Sequence, residues 1–166
     1  MTSSGIIKVA ADGSPGSRRA YVWALSEAGR RRCAVELVTA FTGPSSQGDD
    51  TGLANAQWSA EQRTRMTMEG IEGPSNVPVS YRVVQGEPAD VLVRESRVSD
   101  LLVMGSHGVE GLRHSALGSV ADTCARMADC PVVIVPAHRK SAGGQQDNHV
   151  AVTAEPSIPT SAQDAE

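Results

Sequence analysis

The sequence predicts an α/β fold: a single doubly wound domain with a parallel sheet and helices on both faces. Three observations carry this reading. Short runs rich in β-branched residues alternate with segments of helical period, the run Leu101 to Met104 has no polar alternation, and turn-forming residues punctuate the junctions. A strand without alternation is buried on both faces, as strands in parallel sheets are.

The elements follow in order. "GIIKVAA", Gly5 to Ala11, reads as the first strand and is closed by the turn formers "DGSPGS". Ser14 then Pro15 reads as a helix cap followed by proline at the first helical position, where a missing N–H costs nothing. Tyr21, Ala24, Leu25 and Ala28 recur at helical spacing, and Arg30 to Arg32 lie at the end, where cations suit the helix dipole. "AVELVTAF", Ala34 to Phe41, returns to strand character. Leu53 to Glu69 holds strong helix formers with no internal proline or glycine, although its apolar face is thin. Val77 to Val84 alternates as a strand, and Pro78, which cannot donate to a ladder, places it at a sheet edge.

Pro88 opens a third helix with Ala89, Leu92, Val93 and Ser96 on one face, and Leu101 to Met104 is the fourth strand. Val120, Cys124 and Met127 mark a fourth helical face, and "PVVIVP", Pro131 to Pro136, is the last strand. The resulting β-α-β-α-β-α-β-α-β order calls for right-handed crossovers. Residues 1–137 form the expected domain. The remainder, 138–166, is mostly small and polar and reads as a disordered tail.

Composition narrows the function. A chain of 166 residues is long enough to bury a real core, but with five aromatics that core must be aliphatic. The net charge of −4 and pI of about 5.6 give no general attraction to polyanions, which argues against nucleic acid. Cys33, Cys124 and Cys130 form no CxxC pair, as buried thiols in a reducing compartment would not. The amino terminus lacks a charged and then long apolar leader, and no stretch approaches a membrane span, so the expected location is cytoplasmic.

The stretch "LLVMGSHGVEGLRHSALGSVADTCARM" is the candidate site. Its glycines, Gly105, Gly108, Gly111 and Gly118, allow positive φ and close approach of backbone N–H groups to an anion. Gly118-Ser119 precedes a helix whose first free N–H groups favour phosphate, and Ser119 adds a hydroxyl donor. In doubly wound sheets the ligand crevice lies where the winding reverses. If strands one and four meet there, Asp12 and Gly105 face each other across it. Neither GxxxxGK[ST] nor GxGxxG is present, and His107 and His114 belong to no metal pattern.

Gly105-x2-Gly108-x9-Gly118-Ser119 resembles the ATP-binding signature of the universal stress protein family. "VAADGSPGSRRAYVWALSEA", "GEPADVLVRES" and "ADCPVVIVP" resemble that family too, in the same order over about residues 5 to 136. The resemblance implies five parallel strands in the order 3-2-1-4-5. It implies ATP, accompanied by Mg²⁺, with Asp12 at the ribose and the backbone of Ala10, Ala11 and Ala40 around adenine. Met104 would line the base of the pocket, and Gly105, His107, Gly108, Gly118, Ser119 and Val120 would meet the phosphates. It also implies a homodimer through Pro131 to Pro136, an apolar strand whose exposed edge invites pairing.

One departure stands beside the second glycine, where many members carry a basic residue and this chain has Val109 and then Glu110. An acidic side chain facing a triphosphate would weaken it unless directed away or toward Mg²⁺. The leading expectation is a nucleotide-dependent stress-response regulator that binds ATP. An enzyme, a slow ATP hydrolase or a nucleotidyltransferase, comes second, because no clear general base, arginine finger or paired acidic metal ligands accompany the loop. A dimeric interaction module with a degenerate pocket is the third reading. RNA binding through GxxG fails on context, since the motif follows a buried strand and basic clusters are scarce.

Overall fold

A computed structural model of the chain describes residues 5–44, 48–108, 117–136 and 151–153. Its elements are β1 (Ile6–Ala10), α1 (Pro15–Arg31), β2 (Ala34–Phe41), α2 (Asp50–Met68), β3 (Val79–Gln85), α3 (Pro88–Ser96), β4 (Leu101–Gly105), α4 (Ser119–Met127), β5 (Val132–Val135) and β6 (Ala151–Thr153). Five strands pair in parallel in the order β3-β2-β1-β4-β5, as expected. β6 adds an antiparallel sixth strand on the outer side of β5. It falls within the segment expected to be a disordered tail; the rest of that segment lies outside the described residues.

Alternate residues of each strand serve opposite faces. Ile7, Val9, Val35, Leu37, Leu101 and Val103 pack with Ala20, Tyr21, Ala24 and Leu25 of α1. On the other face, Val38, Leu102, Met104 and Ile134 pack with Val91 and Leu92 of α3 and Cys124 of α4. The core is aliphatic, as the scarcity of aromatics requires. Cys33 and Cys124 are buried thiols, and burial pushes Cys124 up to about 11. No described helix is long and apolar enough to cross a membrane.

The ends of the helices follow local chemistry. Ser14 Oγ accepts from Ser17 N at 3.1 Å with Pro15 at the start of α1, and Arg32 closes that helix at φ 57°. α2 begins ahead of the expected Leu53 because Asp49 caps it, accepting from Gly52 N at 2.8 Å. Its thin face is built of small and hydroxyl residues: Ala60, Thr64 and Thr67 are buried, and Thr64 Oγ1 meets Thr39 Oγ1 at 2.6 Å. Pro78 sits just before the edge strand β3, where its carbonyl accepts from Val35 N at 2.9 Å without an N–H to return.

A ring of charge, buried at Lys8 and Glu95, fixes α3 to the sheet. Lys8, only 3% exposed in the middle of β1, contacts Glu95 of α3 and lies 3.2 Å from Glu36 of β2. Arg82 of β3 closes the ring, 2.5 Å from Glu95 and 3.6 Å from Glu36. Burial pushes the Glu95 carboxyl up, but the Lys8 hydrogen bond and the Lys8 and Arg82 charges outweigh it, so Glu95 titrates below its ordinary 4.5. The stability it contributes is therefore complete above that value and is lost as pH falls through the lowered one.

Two outcomes follow for urea unfolding. Lys8→Met should cost about 3 kcal/mol at neutral pH, because two carboxylates are then left in a buried setting with one half-exposed guanidinium. The penalty of Glu95→Gln should shrink as the titration is taken below pH 4.5, since the wild-type carboxyl is then being neutralised as well.

Candidate functional site

β1 and β4 are neighbours at the centre of the sheet, and the helices that follow them, α1 and α4, depart to opposite faces. A crevice must open between these departures, beyond the carboxyl ends of the strands. It encloses about 620 Å³, a volume suited to a small organic ligand. Ala10, Ala11, Asp12, Ala40, Met104, Gly105, His107, Gly108, Gly118, Ser119 and Val120 all line it. Residues more than ninety positions apart in the chain are thus brought to one wall-and-floor arrangement.

The crevice is closed at its apex by backbone packed on backbone. A Cβ at Gly105 would lie 2.9 Å from the carbonyl carbon of Gly16, and one at Gly16 would lie 3.0 Å from the His107 carbonyl oxygen. Asp12 sits on the β1 side. Its Oδ1 accepts from Ser14 N at 2.9 Å, while Oδ2 lies 2.8 Å from where a Gly108 Cβ would stand. One oxygen of this carboxylate thus caps the turn while the other lies beside Gly108 on the crevice lining. Gly13, at φ 79°, gives its N–H to Thr67 Oγ1 at 3.1 Å, and Ser17 Oγ lies 3.2 Å from the same oxygen. α2 thereby holds the turn that carries Asp12.

On the β4 side, Gly118 forms the N-cap of α4 with no side-chain cap. Ser119, Val120 and Ala121, all on the crevice wall, carry the first-turn N–H groups, which a helix leaves without intrahelical acceptors. With the helix dipole they make a site for an anion. This shifts the expected donors. Gly118 N is already committed to Ser106 O at 2.8 Å, and Gly105, Gly108 and Gly118 do not adopt left-handed φ. At Gly105 the structure requires glycine for the close approach to α1, and at Gly108 a Cβ would displace the Asp12 carboxylate oxygen; neither serves a positive-φ anion nest.

His107 Nδ1 lies 3.1 Å from Ser106 Oγ, while its Nε2 is buried and meets no hydrogen-bond partner among the described residues. The other wall is apolar: Val38, Pro88, Leu92 and Met104 border the small side chains of Ala10 and Ala40. Sequence reasoning did not place Val38, Pro88 or Leu92 here. Pro88 and Leu92 are one turn apart on the face of α3 turned to the sheet, a spacing that could have signalled them. Val109, Glu110, Gly111, Arg113 and His114 lie outside the described residues. Among the described residues no group of acidic, His and Cys side chains could hold a metal ion by itself.

The fold and crevice together define a class: small α/β domains with a crevice at the switch point of a parallel sheet. The universal stress protein family model matches residues 5–136, and the chain belongs to that family. It is 32% identical over 144 residues to Universal stress protein Rv2028c of Mycobacterium tuberculosis, covering 82% of this chain and 50% of that relative. It is 36% identical over 134 residues to Mb2028c of Mycobacterium bovis, covering 77% of this chain and 44% of that one. The chain thus spans about half the length of these relatives. UspA from Lactobacillus plantarum shares the fold, with TM-score 0.59 and 19% identity over 81% of this chain and 99% of its own. A universal stress protein solved in complex with cAMP has TM-score 0.54 and 25% identity over 81% and 98%.

The apex contact gives a direct check. Gly105→Ala must push α1 away from β4 and should lower stability by about 1–3 kcal/mol. Gly118→Ala, whose Cβ would come no closer than 3.3 Å to a neighbour, should cost much less. Chemical unfolding of the two variants side by side measures the difference.

Proposed function

We propose that this chain binds an adenine nucleotide, ATP with Mg²⁺, in the crevice between β1 and β4, and acts in the cytoplasm as a nucleotide-dependent stress-response regulator. The observation that carries the reading is the uncapped N-terminus of α4 facing the Asp12 carboxylate across the crevice. The amides of Ser119, Val120 and Ala121 offer donors to phosphate, and the Ser119 hydroxyl adds another. Asp12 Oδ2 is an acceptor for ribose hydroxyls, and the apolar surface of Val38, Leu92 and Met104 suits the flat base. His107 Nε2, without a described protein partner, supports a polar ligand group nearby. Mg²⁺ would enter with the phosphates and neutralise part of their charge, since no described cluster of side chains would hold it alone.

The relative at 25% identity, solved in complex with cAMP, supports an adenine nucleotide as the class of ligand. We further propose holding rather than efficient turnover, because the groups on the phosphate side are amides. Amides bind an anion, whereas fast hydrolysis needs an oriented water and a group that offsets charge developing on the transferred phosphoryl.

Ser119→Glu tests the site without loosening it. Ser119 is exposed at the first position of α4, where a carboxylate favours the helix by about 0.3–1 kcal/mol. The same carboxylate would occupy the anion position and repel phosphate. At a hundredfold excess over Kd, ATP should stabilise the wild type by about 2.7 kcal/mol and leave Ser119→Glu unmoved. Equal ATP-dependent shifts in the two proteins would place the nucleotide elsewhere. Turnover near ~1 s⁻¹ in an ATPase assay, the low end for ordinary enzymes, would overturn the holding role.

A further inference from the structure

We propose that Arg63 sets which purine the crevice accepts: by donating to the Ala40 carbonyl it lowers the preference for a base with an amino group at its six-position over one with an oxygen there. This rests on the nucleotide reading above.

The strand register explains why a side-chain donor stands at this point. Carbonyls along a strand point alternately to its two neighbours. In β2, Val38 O is turned to β1 and accepts from Ala11 N at 2.9 Å, whereas Phe41 O is turned to the β3 side and accepts from Gly86 N at 2.8 Å. Ala40 O therefore points the same way as Val38 O. The β1 ladder ends at Ala10↔Val38, which leaves Ala40 O beyond it, facing the space past the end of β1. Ala40 lines the crevice at that point. The donor its carbonyl meets is Arg63 Nη2, at 3.3 Å.

Arg63 is anchored at its backbone. A Cβ at Gly13 would lie 3.4 Å from Arg63 Cα and from its carbonyl oxygen. That oxygen accepts from Thr67 Oγ1 at 3.0 Å, and the same hydroxyl takes the Gly13 N–H. One residue thus packs its backbone under the turn beside Asp12 and extends its guanidinium to the end of β2.

Charge gives the sign of the effect. Val38, one alternation before Ala40 on the same strand face, belongs to the apolar surface suited to the base, so an edge of the base lies toward Ala40. A carbonyl standing alone there would accept from a 6-amino group and repel a 6-oxygen. The guanidinium is permanently ionised and carries N–H donors without an acceptor. A 6-amino group must then share the Ala40 oxygen with a cation, while a 6-oxygen gains a charged donor beside it.

ATP and ITP differ only on that edge of the base, which makes them the probes. In the full-length chain, Arg63→Met and Arg63→Leu each remove the charge and keep a good helix former in α2. Titration calorimetry with each nucleotide and Mg²⁺ should show wild type binding both with similar affinity. In the two variants the ratio of ATP to ITP affinity should rise by about tenfold, the scale of one hydrogen bond to a charged group. A role confined to holding the turn would weaken both nucleotides together and leave the ratio unchanged. A ratio that falls, or rises by less than about threefold, would overturn the assignment of Arg63. Failure of the wild type to bind either nucleotide would instead overturn the nucleotide reading, and this inference with it.

Discussion

The contact of Gly16 with Gly105 is the constraint on which the rest of the molecule depends. Two stretches of backbone, one entering α1 and one leaving β4, approach until no side chain fits between them. That approach brings the first turn of α1 against the β4 end of the crevice, where the direction of winding reverses. Asp12 on one side and the α4 amides on the other owe their mutual distance to it. The charged ring of Lys8, Glu36, Arg82 and Glu95 acts midway along the strands, tying α3, whose Leu92 lines the crevice, to the sheet. Backbone contact at the strand ends and electrostatics within the sheet thus hold a single crevice.

The fold was legible because its signals are local and mutually consistent. Ser14 with Pro15, the unalternating Leu101 to Met104 run and Pro78 beside an edge strand each report a short-range rule that tertiary structure did not override. The start of α2 was missed because Asp49 lies inside a run of loop formers, where a cap is hard to tell from a turn. β6 was missed for a different reason. "AVT" in a polar segment carries no strand signal by itself, and its structure comes from the β5 edge it meets.

The location of the crevice was readable from strand order and glycine spacing, but the reason for the glycines was not. Sequence shows that a side chain is missing; it does not show whether the vacancy serves φ, a ligand or a neighbouring backbone. At Gly105 the neighbour decides, and at Gly108 it is the Asp12 carboxylate. The buried Lys8 was equally opaque. A lysine in an apolar strand reads as an irregularity until Glu36, Glu95 and Arg82, far apart in sequence, are seen around it.

The attachment of α2 has a thermal consequence. Thr39 with Thr64, and Thr67 with Gly13 and Ser17, fasten this helix by directed hydrogen bonds over little apolar area. Exposing hydroxyls and backbone to water lowers heat capacity and so offsets the rise from the little hydrocarbon exposed with them. Release of α2 would therefore be governed by enthalpy, with a nearly constant value across temperature. The turn bearing Asp12 would loosen by a separate, shallower process than the cooperative melting of the aliphatic core, with warmth acting on the crevice before it acts on the fold.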